Sequence, residues 1–232
     1  MFAVEYAVHV FVPLYNAEAF AVEAVESALR QTYARARVWV YDDGSTDTTA
    51  ALLRMKFRSE SRVTILTNKR NLGPAQTKWL GFQAIAKEAT PNDIVLVLDG
   101  DDYLVTDEAL AIVHAEYLTR KCWFTYGSYV GPFSKEVKAL DANTHKNFRA
   151  AAWRYGHPRT FKAFLINHLT DADFQQADGT WLTKGTDRGF ILRFLELSGP
   201  SCIAYIRSPL YFYRKHARNT WSVSEGSRAR AR

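Results

Sequence analysis

One pattern constrains the fold of this chain more than any other. In the first half, a short apolar run, a polar turn and a stretch with helical spacing follow one another four times. The apolar runs are Val8–Val12, Val38–Tyr41, Val63–Leu66 and Ile94–Leu98. Strands that alternate with helices at this spacing predict an α/β fold with a Rossmann-like, mostly parallel sheet and helices on both faces.

The helices are predicted from apolar periodicity and capping residues. In the first half they are Ala17–Arg30, a helix capped by Thr46 or Asp47 that runs to about Phe57, a helix that follows Asn71–Pro74 and runs to about Lys87, and a helix capped by Thr106 that runs to about Leu118. The second half is less regular. It predicts strands at Trp123–Tyr129, Ile203–Ile206 and Leu210–Tyr213, and helices at Phe161–Leu169 and Asp187–Leu197.

The bulk properties suit one domain in a reducing compartment. A chain of 232 residues that is 47% hydrophobic can bury a sizeable core, and its longest apolar run is far too short to span a membrane. The segment Met1–Glu5 has no basic region, which disfavours a signal peptide. Cys122 and Cys202 are expected to be free thiols in the cytoplasm, although they could form one bridge.

The formal charge of +6 is concentrated at the C-terminus, where the last 26 residues carry seven Lys and Arg against Glu225 alone. A nucleic-acid-binding protein more often spreads its cations over a folded face, so no nucleic-acid partner is expected. The basic end suits anionic phosphates or peripheral contact with an anionic membrane surface. A solvated tail is the alternative.

Polar, turn-forming clusters follow three of the four predicted strands: Pro13–Asn16, Asp42–Ser45 and Asp99–Asp102. Ligands of open α/β sheets bind at the carboxyl ends of the strands. Because these clusters all lie at such ends, we expect them to meet along one edge of the sheet. That edge is the predicted functional site.

The acidic cluster Asp99, Asp101 and Asp102 predicts a metal site. Three carboxylates within four residues are costly unless a cation or solvent answers their charge. Oxygen ligands at a strand end suit Mg²⁺ or Mn²⁺, which bind through one or two carboxylates and the phosphates of a substrate. An exposed loop or a helix cap is the alternative for such a cluster taken alone.

The second acidic cluster could bind a nucleoside. Its carboxylates could accept hydrogen bonds from a nucleobase N–H or from ribose hydroxyls, or could serve an Asx turn and the next helix cap. We assign Asp42 to the turn and Asp43 to the ligand. Tyr15 offers a ring on which a base could stack, although a packed tyrosine is the alternative.

Four motifs, in this order and spacing, resemble those of family 2 glycosyltransferases: Val10-Phe11-Val12-Pro13-Leu14-Tyr15-Asn16, Asp42-Asp43-Gly44-Ser45-Thr46-Asp47, Asn71-Leu72-Gly73 and Asp99-Gly100-Asp101-Asp102. The resemblance covers residues 6–105 closely. It implies a GT-A fold, a nucleotide diphosphate-sugar donor (a UDP-sugar first), Mn²⁺ or Mg²⁺ at the D-x-D motif, and inversion at the anomeric carbon. It also implies a single domain over 1–232, with a donor half at 1–105, an acceptor half at 106–222 and a basic tail at 223–232.

The resemblance assigns roles to the donor-side residues. Tyr15 and Asp43 would hold the base, with Pro13 beside them, while Asp99 and Asp101 would hold ribose and metal. Asp102 binds metal in some members, so the division among the three aspartates stays open. Where many members have Ala-Arg-Asn, this chain has Thr77-Lys78-Trp79, and Lys78 keeps a cation for phosphate.

The remaining candidates lie in the second half. Thr186-Asp187 resembles the Glu-Asp that opens an acceptor-side helix in this family, which makes Asp187 the expected catalytic base, with a helix N-terminal acid as the alternative. His216 fits a late metal or diphosphate ligand, with Arg214, Lys215 and Arg218 as charge for the departing diphosphate. His157 and Arg159, in a segment similar to His-Leu-Arg-Thr-Phe of some members, are expected to line the cleft.

The sequence therefore predicts an inverting, metal-dependent glycosyltransferase of the hexosyltransferase type that acts on a glycan or other hydroxyl acceptor. Two alternatives are a non-catalytic module that binds nucleotide-sugars or carbohydrates, and a sugar nucleotidyltransferase. The nucleotidyltransferase would need a Gly-rich phosphate loop near the N-terminus, and a dehydrogenase would need Gly-x-Gly-x-x-Gly. The first strand is instead followed by Pro13–Asn16.

Overall fold

The computed structural model describes residues 5–132 and 147–216. Its strands are β1 (Val8–Leu14), β2 (Ala36–Asp42), β3 (Val63–Thr67), β4 (Ile94–Val97), β5 (Tyr103–Leu104), β6 (Phe124–Val130), β7 (Arg159–Lys162) and β8 (Ile203–Phe212). Its α-helices are α1 (Ala21–Leu29), α2 (Thr49–Phe57), α3 (Pro74–Ala86), α4 (Ala109–Arg120) and α5 (Thr186–Ser198).

All eight strands form one sheet in the order β3-β2-β1-β4-β7-β6-β8-β5. The first four strands are parallel, while β7 pairs antiparallel with both β4 and β6, and β8 runs parallel to β6. The sheet therefore runs without a break from the first half of the chain into the second. The predicted α/β class with a mostly parallel sheet is confirmed.

Side chains that alternate along the strands build a core on each face of the sheet. In β1, Val8, Val10 and Val12 point to the face covered by α1, α2 and α4, whereas Phe11 points to the face covered by α3 and α5. This two-residue period is expected of a strand whose two faces are both buried. No α-helix of the described residues is long and apolar enough to cross a membrane.

Two predictions in the second half were wrong. The predicted helix Phe161–Leu169 is the end of β7 followed by the 3-10 helix Ala163–His168. All four residues of β7 are buried between β4 and β6, and so short an apolar run has no period that separates strand from helix. The two predicted strands at 203–206 and 210–213 are the single strand β8, with its register to β6 shifted around Ser128.

Other differences concern element ends and a short strand that the sequence did not predict. Helix α1 begins four residues later than expected, because Ala17 lies in a turn that precedes the helix. The N–H of Ala17 donates to Thr49 Oγ1 at 2.9 Å. Helix α2 begins after Thr48, one or two residues beyond its expected cap. Helix α4 begins after Glu108, two residues beyond its expected cap. The strand β5 has only two residues and pairs with the end of β8. Cys122 and Cys202 are free.

Candidate functional site

The ends of β1 and β4 pack directly on each other. The N–H of Gly100 donates to the carbonyl of Pro13 at 3.2 Å. A Cβ added at Gly100 would lie 2.5 Å from Leu14 Cβ, so only glycine lets the turn after β4 approach β1 this closely. Tyr15 follows at the same edge with 45% of its surface exposed. The structure thus brings the first and last of the predicted clusters together.

Asp43, predicted to contact the ligand, has both carboxylate oxygens in internal hydrogen bonds. Oδ1 accepts from Asn68 Nδ2 and from the N–H of Leu72, each at 2.8 Å, and Oδ2 accepts from the N–H of Gly73 at 2.9 Å. The side chain is 3% exposed. In this arrangement Asp43 holds the loop between β3 and α3 rather than presenting an oxygen to a ligand.

Asp42 is the less satisfied of the two. Its Oδ1 accepts from the N–H and hydroxyl of Ser45, at 3.0 and 2.5 Å, which forms the predicted turn. Its Oδ2 is buried and has no hydrogen-bond partner within the described part of the chain. A buried polar atom without a partner is costly, and this oxygen would reach a ligand N–H only after the side chain, which is 0% exposed, has moved.

The Asp99–Asp102 turn uses its carboxylates in different ways. Asp101 Oδ2 lies 2.8 Å from His216 Nε2, so residues 115 positions apart meet here. Asp102 is 2% exposed and accepts from the Tyr211 hydroxyl at 2.7 Å and from the N–H of Arg214 at 2.8 Å. Asp101 and His216 therefore form a candidate ligand pair, while both oxygens of Asp102 are occupied within the protein.

Burial and the neighbouring carboxylates raise the pKa values of Asp99 and Asp102 in this turn. Burial raises the pKa of Asp99 to about 6, against the opposing charge of Lys78. Burial and the charges of Asp99 and Asp101 raise the pKa of Asp102 to about 8. Like charges held together in a partly buried turn favour protonation or a bound cation.

The donor atoms fit a divalent cation that is shared with a phosphate ligand. Among residues 5–132 and 147–216, no group of three or more His, Cys, Asp or Glu side chains is arranged to hold a metal. The pair Asp101 and His216 offers one oxygen and one nitrogen, which suit Mn²⁺. Such ions commonly take one or two protein ligands and complete their shell with substrate phosphates and water.

Asp187 lies at the start of α5 and is held by two cations. Lys78 Nζ, on α3, donates to Asp187 Oδ1, and Arg159 Nη1, on β7, donates to Oδ2 at 2.5 Å. The Lys78 and Arg159 side chains are only 8% and 10% exposed, against 23% for Asp187. Lys78 also donates to Thr186 Oγ1 at 3.2 Å. The expected phosphate cation and the expected base are thus bound to each other.

These contacts decide the protonation state of Asp187. Burial alone would raise its pKa, but the charges of Lys78 and Arg159 outweigh burial and hold the pKa well below the usual value. The same two cations act on Asp99, which they help to ionise. Asp99 and Asp187 therefore share one electrostatic environment.

His157 and Arg214 lie next to the Asp99–Asp102 turn. His157 Nε2 lies 4.0 Å from Asp99 Oδ2, and its Nδ1 is buried without a hydrogen-bond partner in the described chain. Burial and the charge of Arg159 hold the pKa of His157 well below its usual value, so the ring is neutral. Arg214 donates to Glu23 Oε2 at 2.5 Å and to the carbonyl of Asp101 at 2.9 Å. Its guanidinium is therefore engaged with the turn.

Arg218 and the basic tail at 223–232 lie outside the described residues. The sequence interpretation missed Tyr211, whose hydroxyl links Asp99 to Asp102, and it assigned Asp42 to a turn alone. The only signal for Tyr211 was its place in an aromatic strand five residues before His216. The unpaired oxygen of Asp42 has no signal in the sequence.

Comparisons with known proteins bear on the family to which this chain belongs. Residues 9–137 match the model of the family described as Glycosyl transferase family 2. The curated protein "Glycosyltransferase GlyG" of Streptococcus pneumoniae serotype 4 is 24% identical over 227 residues, which cover 90% of this chain and 71% of GlyG.

Two solved structures share the fold. S. aureus TarS 1–349 in complex with UDP-GlcNAc has a TM-score of 0.69 at 19% identity, and the match covers 94% of this chain and 61% of TarS 1–349. The mannosyltransferase PcManGT from Pyrobaculum calidifontis, in complex with GDP-Man and Mn²⁺, has a TM-score of 0.63 at 19% identity, with 93% and 59% covered. The chain thus spans about three fifths of each of these structures.

At these identities the two structures establish a GT-A fold and no more. The family match covers more than half of the chain, and GlyG aligns along nearly all of it. The protein is therefore a glycosyltransferase that belongs to glycosyl transferase family 2.

Proposed function

We propose that this protein transfers a sugar from a nucleotide diphosphate-sugar to an acceptor hydroxyl, with inversion and with Mn²⁺ or Mg²⁺. One observation carries the proposal: Asp187 and Asp101, which is in contact with His216, both act electrostatically on Asp99 at the end of β4. The UDP-GlcNAc bound to TarS supports a UDP-sugar as the first donor to test. The Mn²⁺ bound to PcManGT supports manganese as the first ion.

The cation would be held by Asp101 and His216 together with the donor diphosphate, with Asp99 adjacent. Bound there, it supplies positive charge that stabilises the leaving diphosphate. Asp102 is a less suitable ligand, because a metal would have to displace Tyr211 or Arg214 from its oxygens. Arg159 and Lys78 are the cations nearest the cleft that could contact the diphosphate directly.

Asp187 is the proposed base. The acceptor oxygen forms a bond to the anomeric carbon as the bond from that carbon to the diphosphate oxygen breaks, and the acceptor proton passes to a carboxylate oxygen of Asp187. Lys78 and Arg159 each donate to one oxygen, which leaves a lone pair for the acceptor proton but lowers the basicity of Asp187 until one of the ion pairs opens. A donor diphosphate near Asp99 would compete for both cations and so free an oxygen of Asp187.

The nucleotide would lie against the ends of β1 and β2. Tyr15 has the exposure needed for a base to stack on it. Asp43 would act mainly by fixing the loop at 68–73, and the unpaired Oδ2 of Asp42 is the acceptor available to a base N–H after a small side-chain movement. Pro13 would set the distance between the base site and the Asp99 turn through its carbonyl.

We also propose that residues 1–105 form a donor half, residues 106–222 an acceptor half and residues 223–232 a basic tail. In this proposal the acceptor is a glycan or polysaccharide, the protein is cytoplasmic and the tail contacts an anionic membrane. Mixing the full chain with lipid vesicles that contain or lack phosphatidylserine would test the last of these, since co-sedimentation should require the anionic lipid.

The central test is donor turnover. A panel of nucleotide sugars is incubated with the protein and Mn²⁺, and release of the nucleoside diphosphate is measured before and after complete removal of metal with EDTA. Activity should require Mn²⁺ or Mg²⁺ and should return when the ion is added back. Turnover that survives metal removal would contradict the role of Asp101 and His216. Proton NMR of the product should show the anomeric configuration opposite to that of the donor.

A further inference from the structure

Tyr211 is a buried residue that contacts three candidate site groups, namely Asp99, Asp102 and His157. It lies near the end of β8 and is fully buried. Its hydroxyl accepts from the N–H of Asp99 at 3.1 Å and donates to Asp102 Oδ2 at 2.7 Å. Its ring stacks on His157 with centroids 4.5 Å apart and planes 29° apart. A single side chain thus touches both ends of the Asp99–Asp102 turn.

Asp102 continues the connection to the end of β8. Its second oxygen accepts from the N–H of Arg214, two residues before His216. The strand β5, directly after Asp102, pairs with β8, and the Tyr103 and Phe212 rings stack at 4.6 Å. The turn and the end of β8 are therefore held in one register by contacts on both sides of Asp102.

This register sets where His216 meets Asp101. The Asp101 Oδ2 to His216 Nε2 distance of 2.8 Å depends on two segments more than a hundred residues apart in the chain. Within the part of the chain that the structure describes, the hydrogen bonds that tie these segments together near the pair run through the Tyr211 hydroxyl, the Asp102 carboxylate and the Arg214 guanidinium.

We propose that Tyr211 and Asp102 are positioning residues that hold the turn and the end of β8 at the spacing a divalent cation needs between Asp101 and His216. The inference rests on the proposed function, because it assumes that these two residues bind the ion. Neither Tyr211 nor Asp102 contacts the ion in this role. Hydrogen-bonded groups that orient metal ligands commonly change metal affinity by about 10- to 100-fold when they are altered.

The test uses Tyr211→Phe, which removes one hydroxyl and keeps the ring on His157. Mn²⁺ binding to the full chain is measured by electron paramagnetic resonance of the free ion, with UDP at saturation. Tyr211→Phe should weaken Mn²⁺ binding roughly tenfold or more. In turnover assays the KM for Mn²⁺ should rise by a similar factor, while kcat at saturating Mn²⁺ should change much less.

Tyr205→Phe is the matched control. Tyr205 lies on the same strand and its hydroxyl is also in a hydrogen bond, to Ser128 Oγ at 2.6 Å. It should bind Mn²⁺ like the unaltered protein. Equal Mn²⁺ affinity in Tyr211→Phe and the unaltered protein would overturn the inference, and so would equal weakening in both variants. If the unaltered protein with UDP binds no Mn²⁺ at all, the proposed metal function fails as well, so the two failures are distinct.

Asp102→Asn separates positioning from direct ligation. Asparagine keeps one acceptor oxygen for Tyr211 or Arg214, so Mn²⁺ affinity should fall by roughly tenfold and not vanish. Abolished Mn²⁺ binding in Asp102→Asn, together with normal binding in Tyr211→Phe, would identify Asp102 as a ligand and overturn the proposal. Circular dichroism melts of each variant establish that the comparison is made between folded proteins.

Discussion

The carboxylates of the Asp99–Asp102 turn and of Asp187 at the start of α5 lie close enough to interact, but their surroundings stabilise charge in different ways. In the turn, burial and the charges of Asp99 and Asp101 raise the pKa of Asp102 to about 8, although hydrogen bonds from the Tyr211 hydroxyl and the Arg214 N–H oppose that rise. At α5, Lys78 and Arg159 pair with Asp187 and hold its pKa below the usual value. Three aspartates crowd the turn, whereas at α5 two cations pair with one carboxylate.

This difference indicates how the two regions would respond when the donor binds. The turn gains from an added cation, because three carboxylates lie within four residues. The Asp187 region instead gains from an added anion, which could draw Lys78 or Arg159 away. A diphosphate that arrives with a divalent ion supplies both charges. Donor binding would thus complete the turn and release the base at the same time.

The largest expected effect comes from the turn. Asp101→Asn removes the carboxylate of the ligand pair, and transfer should fall by more than roughly 10³-fold, because stabilisation of the leaving group is lost. Thermal stabilisation by Mn²⁺ with UDP should disappear as well. Asp107→Asn is the control, since the exposed carboxylate of Asp107 lies in a 3.5 Å surface pair with Arg30. Near-normal transfer by Asp101→Asn would show that the turn does not hold the ion.

The other region should respond in the rate and not through weaker donor binding. Asp187→Asn removes the proposed base, so kcat should fall by about 10² to 10³-fold, while the Kd for the donor measured by calorimetry should not rise, because Lys78 and Arg159 are freed for the diphosphate. Glu196→Gln, on the same helix and in a surface pair with Arg149, is the control. If donor affinity fell as much as kcat, Asp187 would be a structural partner of Lys78 and Arg159.

Tyr15 tests whether the base lies where the end of β1 places it. Tyr15→Ala should raise the KM for the donor by about tenfold, since stacking on one base is commonly worth about 1–3 kcal/mol. Tyr15→Phe keeps the ring and should behave like the unaltered protein. An unchanged KM in Tyr15→Ala would move the nucleotide away from β1. Because the ring is 45% exposed, stability should barely change.

The sequence predicted the regular part of the fold. The four runs from Val8 to Leu98 became β1 to β4, because apolar runs that alternate with amphipathic helices have few other ways to bury both faces. Local pattern failed at β7, where four buried residues sit between two other strands. It also failed at β8, where Pro209 falls inside one long strand.

Candidate residues could be named from the sequence, whereas the contacts between them could not. The motifs gave Asp99, Asp101, Asp187 and His216. Nothing in their spacing shows that Lys78 and Asp187, 109 residues apart, form an ion pair, or that Asp43 spends both oxygens on a loop. Such pairings depend on how helices and strands pack in three dimensions, which local sequence does not encode.

The smallest expected effect is a shift of the pH profile in Lys78→Gln. As a base, Asp187 must be ionised, so kcat/KM falls when the pH drops below its pKa. Lys78 and Arg159 lower that pKa, while burial opposes them. Removing Lys78 therefore raises the pKa of Asp187, and the acid limb of kcat/KM should move to higher pH.

Lys56→Gln is the control for this profile, because Lys56 pairs with Glu26 on the surface and lies on α2. Its acid limb should coincide with that of the unaltered protein. An acid limb that stays in place in Lys78→Gln would mean that Asp187 does not set the pH dependence. A limb that moves to lower pH would reverse the sign of the argument. Either result would show that the contrast between the two regions does not govern catalysis.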